Sequence, residues 1–152
     1  MSLESLLETI RADFIRAGIM PGKVIELSWS GRMSRARGNC RKKDGGFAIH
    51  ISRRIESNED VVRETLAHEL LHTVDGCFGH NERFRQYAKK LDEYGYHIQT
   101  HYEAEPFELE GLMVFECSKC GIKTTRQRSS QFTRHPEKYV HKGCGGHFKR
   151  VR

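Results

Sequence analysis

The sequence predicts an α+β chain that ends in a small metal-stabilised module. Three observations carry this reading. Apolar residues recur at helical spacing in three separate segments, two short runs between the first and second alternate apolar with polar residues, and a CxxC pair is followed near the C-terminus by HxxC. A length of 152 residues suits one compact core with a small appendage. With 37% hydrophobic residues, 30% charged residues and three prolines, wholesale disorder is excluded.

Leu3, Leu6, Leu7, Ile10 and Phe14 form the stripe of a first helix over 2–17, and Gly18 offers a left-handed stop. Acidic residues interrupt this stripe, unlike a signal or transit peptide, and no apolar run approaches the roughly 20 residues that span a bilayer. The expected location is therefore cytoplasmic or nucleoid-associated, with no membrane partner. Ile25, Leu27 and Trp29 alternate along 23–30, as do Phe47, Ile49 and Ile51 along 46–52, which predicts an antiparallel pair with a third short strand around 36–40. Ser57 and Asp60 resemble a capping box, after which Val62, Leu66, Leu70 and Val74 carry a second helix to about Asp75. Phe84, Tyr87, Ala88 and Leu91 mark a third helix that ends near Gly95. The acidic stretch 103–110 with Pro106 reads as a linker between a domain over 1–110 and a module over 111–152.

The net charge of +6 resides in that module, which carries ten Lys or Arg against two Glu, while 1–110 carries sixteen against eighteen. Lys119, Lys123, Arg126, Arg128, Arg134 and Lys149 spread through it point to a polyanionic partner such as nucleic acid, read through phosphates; a merely solvated basic surface is the plainer alternative. Phe132 and Tyr139 suit either base stacking or the small core, the core being favoured.

The second helix contains His68-Glu69-Leu70-Leu71-His72, an HExxH motif. Residues four apart lie one helical turn above each other, so both imidazoles can address one ion with Glu69 beside them. Zinc held by three protein ligands keeps a position for water and lowers its pKa to about 7, where a nearby carboxylate can take the proton. The longer pattern HExxHxxGxxH fails, because Asp75 and Phe78 stand at its last two positions. His80 is the best third ligand, since the Gly76 to Gly79 turn can fold it back; Asp75 and then Glu93 follow. His50, His97 and His101 rank lower. Tyr87, Tyr94, Tyr102 and His97 are the candidates for transition-state stabilisation.

Cys117, Cys120, His141 and Cys144 supply four tetrahedral ligands from two knuckles, a closed structural zinc site, with His135 or His147 as substitutes for His141. A module of this size cannot bury enough apolar surface alone, and metal replaces the missing core. Cys40 and Cys77 have no partner spacing and read as small apolar residues.

These residues resemble the SprT-like (Spartan-type) zinc metalloproteases. The resemblance rests on RETLAHELLHTV, on HNERF after a short insert, and on a tail running from FECSKCG to HKGCGG, and it covers most of the chain beyond the first helix. It implies a small zincin-like core followed by a zinc ribbon, with His68, His72 and His80 on a catalytic zinc and Glu69 as general base. In the best-known members it also implies activity against proteins bound or crosslinked to DNA. Two positions depart from the family pattern: Asn81 stands where glycine commonly follows the third histidine, and His141 stands where a cysteine is usual. The expected function is thus a zinc metalloendopeptidase whose basic tail binds nucleic acid. A zinc-stabilised DNA-binding adaptor without proteolytic activity is the alternative, and a processing enzyme unrelated to DNA is a third.

Overall fold

A computed structural model of the chain describes residues 2–33, 36–101, 108 and 111–152. It divides into two compact units, Met1–Glu103 and Ala104–Arg152. The expected linker over 103–110, apart from Glu108, and Tyr102 lie outside the described residues. Among the described residues no helix is long and apolar enough to cross a membrane.

The first unit has α+β architecture. Helix α1 (Leu3–Arg16) is capped by Ser2, whose side chain accepts from the Ser5 N–H, and it buries Leu3, Leu6, Ile10 and Phe14. Gly18 takes a positive φ of 77° just beyond its end, the conformation that glycine adopts without a Cβ penalty. Strands β1 (Val24–Ser30), β2 (Gly38–Lys43) and β3 (Gly46–Ser52) form one sheet in the order β1-β3-β2.

Here the structure corrects the expected all-antiparallel arrangement, because β1 and β3 run parallel and only β2 pairs with β3 antiparallel. The reason lies in the short turn at Asp44 and Gly45. It closes a tight hairpin that commits one edge of β3 to β2, so β1 reaches the other edge, and the two intervening reversals leave it running the same way as β3. The third strand is thus a full sheet member over 38–43 rather than a short strand around 36–40.

Helix α2 (Glu59–Leu71) begins one residue later than the expected cap, with Asn58 accepting from the Val61 N–H. It ends at Leu71 with His72 as its C-cap, short of Asp75, yet His72 keeps helical dihedrals and stays one turn above His68. This helix touches α1, β2 and β3, and also α3 (Glu82–Leu91). It therefore buries Thr65, Ala67, Glu69 and Leu71 as well as the predicted Val62, Leu66 and Leu70. Helix α3 is capped by Asn81, whose side-chain oxygen accepts from the Phe84 N–H, so the departure at this position serves as a helix cap.

A buried polar clamp fixes the chain after α3. The Tyr96 hydroxyl donates to Asp13 at 2.6 Å, Asp13 also pairs with Arg16, and the Arg63 guanidinium lies 3.8 Å from the Tyr96 ring centroid while donating to the Gly95 carbonyl. Tyr96→Phe is expected to lower stability by about 1–3 kcal/mol, because it leaves a buried carboxylate oxygen without its donor. Urea denaturation with an unchanged m-value would show it, and an unchanged midpoint would contradict it.

The second unit builds on a sheet of β4 (Met113–Cys117), β5 (Lys123–Arg126) and β6 (Phe148–Arg150), in the order β5-β4-β6 and antiparallel throughout. Helix α4 (Gln131–Arg134) sets Phe132 against Phe115, Tyr139 and Phe148, with ring centroids 4.9 to 5.5 Å apart.

Candidate metal centres

In the first unit His68 projects from the last turn of α2, His72 from its C-cap and His80 from the turn before α3. Their Nε2 atoms converge: His72 to His68 is 3.2 Å, His80 to His68 is 3.0 Å and His80 to His72 is 3.1 Å. Nitrogens about 2.0–2.1 Å from one tetrahedral ion stand roughly 3.3 Å apart, so the spacing fits a single zinc. For His72 and His68 the other ring nitrogen is engaged by the backbone. His72 Nδ1 donates to the Cys77 carbonyl at 3.0 Å and His68 bonds the backbone of Gln99, which turns each Nε2 lone pair toward the shared point. Burial pushes His68 down to about 4, aided by His72 and His80, and burial lowers His72 and His80 as well. All three imidazoles are therefore neutral at pH 7, the form that ligates metal.

Glu69 is 7% exposed and lines the same cleft, where burial pushes its carboxyl up to about 8. A cation held at the three imidazoles acts the other way and favours the carboxylate. The cleft, about 360 Å³, is walled by α2, by the start of β2 and by 97–100. At Gly38 the strand passes so close to α2 that an added Cβ would lie 3.0 Å from Thr65 Cγ2.

Of the other sequence candidates, Asp75 and Glu93 lie outside the histidine cluster. His50 bonds Ser28 on the sheet at 2.9 Å. The Tyr94 hydroxyl donates to the Arg16 carbonyl and Tyr87 adjoins Arg83, whereas His97 does line the cleft. Cys77 is buried, but Cys40 borders the cleft, with burial and then the Glu69 charge pushing its thiol up to about 12. Sequence reasoning missed the contributions of Cys40, Phe78, Thr65 and the Gln99 backbone; the last is a main-chain group with no residue signal. His80→Ala is expected to abolish metal binding in the first unit and Asp75→Ala to leave it intact, by elemental analysis after dialysis. The reverse result would reassign the third ligand.

In the second unit Cys117, Cys120, His141 and Cys144 offer ligand atoms within 4.8 Å of one another. His141 approaches through Nδ1, 3.3 Å from Cys120 Sγ and 3.2 Å from Cys144 Sγ, while Cys117 Sγ and Cys144 Sγ are 3.4 Å apart. His135 and His147 do not join them: His135 pairs with Glu137 and His147 Nδ1 donates to the Glu137 carbonyl. The backbone N–H groups of Cys120 and Lys119 bring the Cys117 thiol down to about 6, toward the thiolate that metals bind. Gly146 is required here, since a Cβ would come within 2.6 Å of Cys117 Sγ.

An HExxH helix and a third histidine meeting on an α+β scaffold, with a carboxylate in the same cleft, form a three-histidine group that could hold a metal ion. The chain belongs to the SprT-like family, which it matches over residues 3–104. That span includes α1 and the complete histidine cluster and stops before the cysteine cluster. The chain is also similar to the germ cell nuclear acidic-1 protein of Caenorhabditis elegans, at 25% identity over 158 residues. The alignment takes in 97% of this chain, which spans only 29% of that relative.

Proposed function

We propose that the chain is a zinc-dependent metallopeptidase acting on DNA-associated proteins, with a zincin-like core over its first unit and a zinc ribbon over its second. The observation that carries this reading is the burial of Glu69 in the cleft shared by His68, His72 and His80. A purely structural site has no use for a carboxylate beside an open coordination position. The chemistry that zinc supplies when bound by these imidazoles is acidification of a water at neutral pH. Glu69 accepts the proton and returns it to the leaving amine, the role of a general base that becomes a general acid. Burial favours the protonated form and a bound cation would favour the ionised form, so the two influences on the carboxyl oppose each other.

The substrate backbone lies along β2, an edge strand of its sheet and the one that borders the cleft. The Ser52 N–H donates to the Arg37 carbonyl and the hairpin closes at Lys43 and Gly46, so Arg37, Asn39, Arg41 and Lys43 direct their backbone groups to β3. Gly38, Cys40 and Lys42 direct theirs outward, where an extended peptide can pair with them.

The test is incubation of the zinc-loaded chain with basic DNA-binding proteins, with and without single-stranded DNA, and mass spectrometry of the products. Cleavage that disappears in Glu69→Gln supports the peptidase. Failure to cleave with both centres loaded leaves the zinc-stabilised DNA-binding adaptor.

Nucleic acid is assigned to the second unit, through Lys119, Lys123, Arg126, Arg128, Arg134 and Lys149. Arg126 lies over the Phe132 ring at 4.7 Å and donates to Thr124, so it presents a positioned charge. Phe132 sits among other aromatic rings, in keeping with a core role, while Tyr139 is 41% exposed. Binding is expected to fall steeply with salt, with a logarithmic slope of about 0.7–0.9 per phosphate contact. Replacing Lys119, Lys123, Arg128 and Lys149 by Gln should flatten that slope in fluorescence anisotropy. An unchanged slope would place the contact elsewhere.

A further inference from the structure

We propose that Phe78 and Lys42 form a side-chain subsite of the cleft that accepts an acidic residue of the bound polypeptide, glutamate in particular. The proposal rests on the peptidase reading and adds a specificity determinant to it. The turn that orients His72 also presents Phe78, because the Cys77 carbonyl that accepts from His72 Nδ1 immediately precedes it. Phe78 lines the cleft and its ring centroid is 6.2 Å from that of His72, yet the residue is 44% exposed. Its ring centroid is 6.4 Å from that of Phe47, and the Lys42 ammonium stands over the ring, 4.7 Å from the centroid.

Lys42 is placed for this role by strand geometry. It follows Cys40 by two residues on β2, so both side chains leave the same face, and Cys40 borders the cleft. Lys42 is also one of the residues whose backbone groups point outward along the edge, so a peptide paired with β2 passes directly beside it. The next cation is already neutralised, since Lys43 pairs with Glu26 at 2.6 Å. Among the described residues the contact recorded for the Lys42 ammonium is an aromatic face, with no carboxylate paired to it.

An aromatic ring with a cation over it fits a side chain whose methylenes contact the ring and whose carboxylate meets the ammonium. Glutamate has both parts. A lysine at the same place brings like charges together, and an aromatic residue would use the ring while leaving the cation without an ion pair.

The experiment measures binding of peptides carrying Glu, Gln, Lys or Phe at one position, scanned across a neutral sequence, to the full zinc-loaded Glu69→Gln chain. Zinc retention serves as the folding check. At one peptide position Glu is expected to bind about fivefold tighter than Lys, the size of a partly exposed charge contact. Lys42→Glu should invert that order and Lys42→Arg should keep it. An order unmoved by Lys42→Glu, or Phe binding tightest at that position, overturns the subsite. Cleavage of the same peptides by the chain with Glu69 intact separates the two claims. Cleavage without the charge ranking defeats the subsite alone, ranking without cleavage defeats the peptidase reading alone, and the absence of both cleavage and ranking defeats both claims.

Discussion

Glu69→Gln is expected to retain zinc in the first unit while losing hydrolysis by about a thousandfold, the middle of the range for removal of a positioned general base. The imidazoles of His68, His72 and His80 are untouched by the change, and the amide has nearly the volume of the carboxyl, so the cleft keeps its shape. What disappears is a group able to accept a proton. The metal content of the variant decides whether this is the cause, since lost activity with lost zinc would be a ligand effect. Proteolysis at the wild-type rate by a zinc-replete variant would make the mechanism untenable.

The same substitution has a consequence for stability in protein stripped of metal. Burial raises the Glu69 carboxyl from 4.5 to about 8. The folded state therefore binds the proton more tightly than the unfolded chain, so the stability associated with this group is full below pH 4.5 and is lost as pH rises toward 8. Glu69→Gln should remove that loss, so the metal-free variant denatures at higher urea than metal-free wild type at pH 8. Equal midpoints at pH 8 would show that the carboxyl is hydrated.

Replacing Cys117 and Cys120 together by Ser is expected to unfold the second unit and halve the zinc content, from two ions per chain to one. The sheet of this unit has three short strands, and among the described residues its apolar interior consists chiefly of Leu112, Val114, Phe115, Phe132 and Phe148. So small a core falls short of the conformational entropy of ordering the segment, whereas a structural zinc contributes an apparent 10–16 kcal/mol at pH 7. Gly146 shows how closely the chain wraps the ligands, with no room for a Cβ beside Cys117 Sγ. Elemental analysis and amide exchange report the two effects separately. Exchange protection retained across β4, β5 and β6 in the double variant would mean that the unit folds without its metal, and two zinc ions in that variant would refute the ligand assignment.

The sequence by itself determined the local features. The three helices of the first unit were legible because their apolar spacing is a property of a few consecutive residues, whereas the four-residue α4 is too short to show such spacing and was not read; the HELLH motif places two imidazoles one turn apart wherever its helix lies. His80 was legible through the glycines that bracket its turn, and the cysteine cluster through the spacing of its knuckles. The cap of α2 at Asn58 rather than Ser57 is an error of one residue between adjacent polar side chains. Only the tertiary structure decided the rest. Strand direction was not legible, because alternation specifies which face a side chain occupies and says nothing of which edge a neighbour takes; the hairpin from β2 to β3 occupies one edge of β3 and leaves β1 the other. Whether Glu69 faced bulk water or lay buried at the cleft depended on α2 being covered by α1, α3 and the sheet together. The Gln99 backbone on His68, Cys40 at the cleft wall, and the meeting of Lys42 with Phe78 likewise join segments far apart in sequence. Such contacts leave no pattern in either segment alone, because each residue satisfies its own local rules and acquires its function only from the neighbour that the fold brings to it.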